Sequence, residues 1–154
     1  MKKILLLFLI SCFTQQIIAQ SYSNEYETVF IKSENGKVYF TIFNYCKKEK
    51  ACLETLKMDA VKVVLFRGFN SENKIYSIVK DFKTLQNNKT FFDEFFKKNG
   101  QYLNYIEYSG DDFIEVVDIY KKKKKAALTI CILRDNLLME MQSQKIVKTL
   151  DNGF

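Results

Sequence analysis

Histidine, proline and tryptophan are absent from this chain, and glycine occurs only five times in 154 residues. Without imidazole there is no Ser-His-Asp or Cys-His relay, because histidine is the general base in both. Histidine-containing zinc sites are excluded for the same reason. The glycines are scattered, so they form no phosphate-cradling loop. Carboxylate or lysine chemistry stays open, and Asp111, Asp112, Glu115 and Asp118 are the acids such an enzyme would use. Those four are also explained as turn and strand-edge residues, since paired aspartates are common in turns. No pattern calls for a cofactor or a metal.

What is present describes a folded, exported domain. Hydrophobic residues make up 47% of the chain and aromatics 15%, enough for a core that a disordered chain could not build. The first twenty residues read MKKILLLFLISCFTQQIIAQ. Lys2 and Lys3 precede an apolar run from Ile4 to Ile10, too short for the roughly 20 residues a bilayer span needs. A charged start, a short apolar stretch and a small residue at Ala19 make residues 1–19 a signal peptide, with Gln20 the first mature residue. Leu9-Ile10-Ser11-Cys12 offers an alternative, a lipobox that would anchor the protein through a lipidated Cys12. The polar Thr14-Gln15-Gln16 before Ile17-Ile18-Ala19 suits ordinary cleavage better. The expected address is therefore periplasmic or secreted. About 135 residues, 20–154, remain as a single domain. The net charge of +6 loses Lys2 and Lys3 with the leader, a balance that permits acidic partners without requiring them.

Three cysteines survive removal of the leader: Cys46, Cys52 and Cys131. Export permits disulfides. The loop Lys47-Lys48-Glu49-Lys50-Ala51 is long enough to let Cys46 and Cys52 bridge, tying a strand end to a helix start. The alternative is that all three are small buried hydrophobes. Cys131, inside LTICIL, reads as core in either case.

The order of elements follows from periodicity. ETVFIK (27–32) and VYFTIFNY (38–45) are β-prone, and Asn35-Gly36 between them suits a tight hairpin. Over 50–67, Leu53, Leu56, Ala60, Val63 and Val64 recur at three- and four-residue steps, which predicts an amphipathic helix stopped by Gly68. Residues 69–89 read as a long surface connection with a short apolar element at IYSIV. Thr90 and Asp93 resemble a capping box for a helix carrying Phe91, Phe92, Phe95 and Phe96 on one face. Asp93–Lys97 and Glu94–Lys98 would pair across its other face. That aromatic face reads as core rather than as a ligand pocket. Strands are expected at 102–109, at IEVVDIY and at AALTICIL, followed by a helix capped by Asp135 and running to about Leu150. The result is an α+β domain: a mostly antiparallel sheet of about four to five strands, with about three helices packed on one face.

Three segments carry a resemblance: VVLFRGF (63–69), TFFDEFFKKNGQYLNYIEYS (90–109) and IVKTLDNGF (146–154). In this order they resemble a group of uncharacterised secreted proteins of Bacteroides-type bacteria. The helix followed by a strand meander is also similar to the N-terminal domain of flagellar assembly protein T and related envelope lipoproteins. The resemblance implies an exported envelope protein and assigns no functional residue.

The sharpest local feature is YKKKKKAALTICILR (120–134). Lys121, Lys122, Lys123, Lys124 and Lys125 are the candidate anion-binding residues. On an extended strand Lys121, Lys123 and Lys125 would face one way and Lys122 and Lys124 the other. Lysines at an exposed strand end also keep an edge soluble and discourage pairing with other chains. Tyr120 is the only aromatic beside them, too little stacking surface for a nucleic-acid site. Anionic lipid headgroups or acidic glycans are the partners such a cluster would meet outside the cytoplasm. The sequence thus favours a non-enzymatic envelope module that binds a protein partner or itself. The lysine-based polyanion binder comes second and the carboxylate enzyme third.

Overall fold

The computed structural model describes residues 27–46, 49–69, 73–107, 113–118 and 124–148. At Cys46, Glu49, Lys50, residues 113–118 and Lys124 the description is of the backbone only. Strand β1 (Glu27–Glu34) turns back on β2 (Lys37–Cys46) through Asn35 and Gly36, whose φ angles are 51° and 73°. Both values are positive, as the two-residue hairpin requires. A side chain at Gly36 would also lie 2.5 Å from the Asp135 carboxylate and would have to push that side chain aside.

Strand β2 is central, as its apolar and aromatic run predicts. Its second neighbour is β5 (Lys124–Ile132), paired antiparallel from Val38↔Ile132 to Cys46↔Lys124. The far edge of β5 is shared. Strand β4 (Phe113–Asp118) takes one end and the short β3 (Ile106–Glu107) the other. Alternation along β2 and β5 sends Val38, Phe40, Ile42, Leu128, Ile130 and Ile132 to one face, where all six are buried.

Helix α1 (Glu49–Lys62) packs on that face against β2 and β5, burying Cys52, Leu56, Ala60 and Val61. It continues as a π-helical turn over Val63–Arg67 that buries Val63, Val64 and Leu65 together. The widened turn lets consecutive apolar residues face inward, which an ideal helix would not. Gly68 ends it at φ 71°, and its N–H donates to the Val63 carbonyl at 2.7 Å.

The segment after Gly68 departs from expectation. It is no loose connection: Phe69 donates to the Ile75 carbonyl at 2.7 Å and Val79 to that of Leu65 at 2.8 Å. Ile75, Ile78 and Val79 are buried as a result. A short helix follows, α2 (Phe82–Asn87), capped by Asp81, whose carboxylate accepts from the Thr84 backbone N–H at 2.7 Å. Asn88 then links α2 to α3 (Lys89–Phe95). Thr90 is therefore inside the helix rather than capping it. Phe92, Phe95 and Phe96 are buried and Phe91 is partly so, which places the aromatic face in the core. The ion pairs on the outer face shift to Lys89–Asp93 and Glu94–Lys97, because the helix starts at Lys89 and ends before Lys97.

Two further expectations are corrected. Residues Gln101–Tyr105 form a 3₁₀ turn, and of the expected strand 102–109 Ile106 and Glu107 are strand among the described residues. The last helix, α4 (Arg134–Ser143), carries Asp135 in its first turn, not at its cap. It stops at Ser143 because Lys145 adopts φ 57° and the Ile146 and Val147 N–H groups both fold back onto the Met141 carbonyl, at 2.9 and 3.2 Å. The chain is an α+β fold, one antiparallel sheet with its helices on one face.

Candidate functional site

The sheet's other face is set by the same alternation. Its rows run Lys32–Tyr39–Cys131–Glu107, then Val29–Thr41–Thr129, then Glu27–Phe43–Ala127, then Tyr45–Lys125. The described helices all pack on the opposite side. Val29 and Tyr45 are 54% and 58% exposed, a large apolar and aromatic area for positions on neighbouring strands.

Paired side chains tie the strands together across this face. The Thr41 and Thr129 hydroxyls share a hydrogen bond of 2.9 Å across the strands. The Lys32 ammonium pairs with Glu34 at 2.5 Å and lies 4.8 Å from the Tyr39 ring centre. Lys37 donates to Glu107 at 2.5 Å. That bond raises Lys37 above the ordinary lysine value and lowers Glu107 below the carboxylate range.

Cys131 lies under this arrangement. It is fully buried, yet it faces away from the helices, because it alternates with Ile130 and Ile132. It is buried, as LTICIL suggests, but on the sheet's outer side rather than in the main cluster. Its thiol is free and lies 3.8 Å from a Glu107 carboxylate oxygen. Burial pushes the thiol up, and a hydrogen bond to Cys131 raises the Tyr39 phenol. A protonated, covered thiol is a poor nucleophile.

The candidate anion-binding residues are divided. Lys121, Lys122 and Lys123 lie outside the described residues. Lys124 opens β5, its backbone opposite Cys46 and Asp118. Lys125 is already engaged: it pairs with Glu27 at 2.5 Å, sits 4.8 Å from the Phe43 ring centre, and its side chain is only 21% exposed. Of the acids considered for catalysis, Asp111 and Asp112 lie outside the described residues, and Glu115 and Asp118 are described as backbone in β4. Among the described residues no group of three His, Cys, Asp or Glu could hold a metal ion.

Cys52 is disulfide-bonded. It sits in the first turns of α1, which begins three residues after the end of β2. The Cys46 side chain lies outside the described ones.

One buried polar group has no forewarning in the sequence. Asp59 is 4% exposed, although helical spacing places it among the polar residues of α1. Its carboxylate accepts from the Asn44 amide at 3.1 Å and lies 3.6 Å from the Lys62 ammonium. Lys62 also stands 5.5 Å from the Phe96 ring centre. The pairing joins α1 to the end of β2, a structural role for a charge that could not be buried alone. The chain matches no family model, no curated protein and no solved structure.

Proposed function

We propose that this protein is a non-enzymatic module of the cell envelope, exported to the periplasm or beyond, that docks a protein partner or a second copy of itself on the outer face of its sheet. The observation that carries the reading is that face: Val29, Tyr39, Phe43 and Tyr45 stand on adjacent strands, ringed by paired charges, on the side away from the described helices. Aromatic centres with polar rims are the ordinary composition of protein interfaces. The sheet edge is a weaker docking surface, since β1 carries a bulge between Phe30 and Lys32 and the lysine itself. The lysine-led apolar start and the resemblance to secreted proteins support the address.

The test uses the full chain produced in an exporting host. Mass spectrometry of the mature protein should find Gln20 at its start. A diacylglyceryl-modified Cys12 would replace the soluble product with an anchored lipoprotein. Val29→Lys and Tyr45→Lys should abolish capture of the envelope partner, or of the second copy in sedimentation, with melting temperature unchanged. Retained association in both variants would reject the outer face as the docking surface.

A further inference from the structure

The helical layer holds a second surface that shares no residue with the outer face. Residues 76–84, α4 and the turn after α4 border an open cleft of about 1130 Å³. Arg134, Lys80, Lys145 and Lys148 line it. Its apolar wall comes from Ile78, Leu138, Ile146 and Val147.

Its charge balance is uneven. Asp81 is the one carboxylate in the lining among the described residues, and both its oxygens are taken, by the Thr84 N–H at 2.7 Å and the Thr84 hydroxyl at 2.8 Å. Lys80, Lys145 and Lys148 make no ion pair among the described residues. Arg134 has a loose pair with Asp135 at 3.4 Å through one terminal nitrogen, while its Nε is buried and finds no acceptor among the described residues. The guanidinium's exposed part is what a head group in the cleft can meet, and its terminal nitrogens are suited to a charged oxygen. The left-handed backbone at Lys145 also turns the chain so that both Lys145 and Lys148 border the cleft.

We infer that this cleft binds an anionic amphiphile: a phosphate or carboxylate head group received by Arg134 and the surrounding lysines, with an apolar chain along Leu138, Ile146 and Val147. The cationic lining accounts for the head group and the apolar wall for the chain. At about 1130 Å³ the open cleft lies just above the roughly 300–1,000 Å³ of small-molecule sites, room enough for a head group and a chain together. The inference stands apart from the outer-face reading and survives its failure.

Calorimetric titration of the full chain tests it, with each probe below its micelle concentration. The probes are decyl phosphate, decanoate, inorganic phosphate and the neutral decyl maltoside. At least one of the first two should bind, and which one identifies the head group. Inorganic phosphate and the maltoside should each bind at least about tenfold more weakly, a difference of one decade in Kd. Arg134→Gln should weaken binding of the better probe about tenfold or more, and salt should weaken it further. Lys145→Gln, at an exposed position, should weaken it about threefold or more and provides the test should Arg134→Gln not fold. Equal binding of decyl maltoside, equal binding of inorganic phosphate, no binding of either decyl anion, or unchanged affinity in the folded variants would each overturn the inference.

Discussion

Phe92→Ala is the most informative perturbation of the fold. Phe92 is 1% exposed and its ring meets three others: Phe66 at 5.2 Å and Phe91 at 5.3 Å edge-on, and Phe96 at 6.4 Å stacked. Truncation removes the transfer free energy of a buried phenyl ring and leaves a cavity, together about 3–5 kcal/mol. The edge-on contacts put the value in the upper part of that range, since such pairs add about 0.5–1.5 kcal/mol beyond area. Phe91 is only partly buried, so Phe91→Ala should cost less, about 1–2 kcal/mol. Urea unfolding followed by far-UV circular dichroism suits a chain without tryptophan. With a slope of about 2 kcal/mol per molar, Phe92→Ala should move the midpoint down by about 2 M at unchanged slope. A domain of this size has only about 5–15 kcal/mol to lose, so Phe92→Leu serves as the milder member of the series. A Phe92→Ala midpoint within about 0.5 M of the parent at equal slope would mean that the ring is not packed. The four-phenylalanine face would then be a ligand pocket rather than core.

Asp59→Ala should cost about 2–4 kcal/mol, because it removes the buried carboxylate that Asn44 and Lys62 share, while Asp59→Asn should recover part of the loss; equal stability of all three proteins would refute the buried-pair account. Burial, with Glu140 beside it, pushes the Tyr105 phenol up to about 12, against about 10 in an unfolded chain. The folded state therefore keeps a proton that the unfolded state releases, so this contribution is intact below about pH 10 and is lost as pH rises toward about 12. Alkaline stability curves of the parent and Tyr105→Phe should differ by a constant below pH 10, and above it the parent should lose stability relative to the variant; curves parallel to pH 12 would exclude the effect. Peptide mapping without reduction should recover Cys52 joined to Cys46, with Cys131 blocked by alkylation only after unfolding; a Cys131 that labels in the native protein would contradict its burial.

Much of the fold was legible because it is locally encoded. Asn35-Gly36 fixes a hairpin by its φ angles alone, and the β-branched run after it needs no distant partner to be read as a strand. The failures share a cause. Tyr102 and Ile106 are both buried and four apart, a spacing that fits two strand alternations as well as one helical turn, so periodicity does not separate the 3₁₀ turn from the strand expected over 102–109. Helix α2 buries only Leu85, too little for a pattern, and its sole signal is Asp81 three residues before Thr84. Ile146 and Val147 continue the apolar spacing of α4 after the chain has already turned at Lys145. Asp59 is polar by local pattern and buried only because Asn44 reaches it from β2.

Charge shows the same limit most clearly. Five adjacent lysines draw the eye, but adjacency along a strand is not adjacency on a surface. Lys125 meets Glu27, 98 residues away in the chain, and packs its ammonium on Phe43. The cations that share one cleft are Lys80, Arg134, Lys145 and Lys148, drawn from two segments more than fifty residues apart and inconspicuous in each. What gathers them is the packing of residues 76–84 beside α4 and the left-handed turn at Lys145, neither of which a charge count can foresee. A binding surface on this protein is therefore to be sought also where the fold assembles charge from distant segments beside an apolar wall, which lysine density along the sequence does not report.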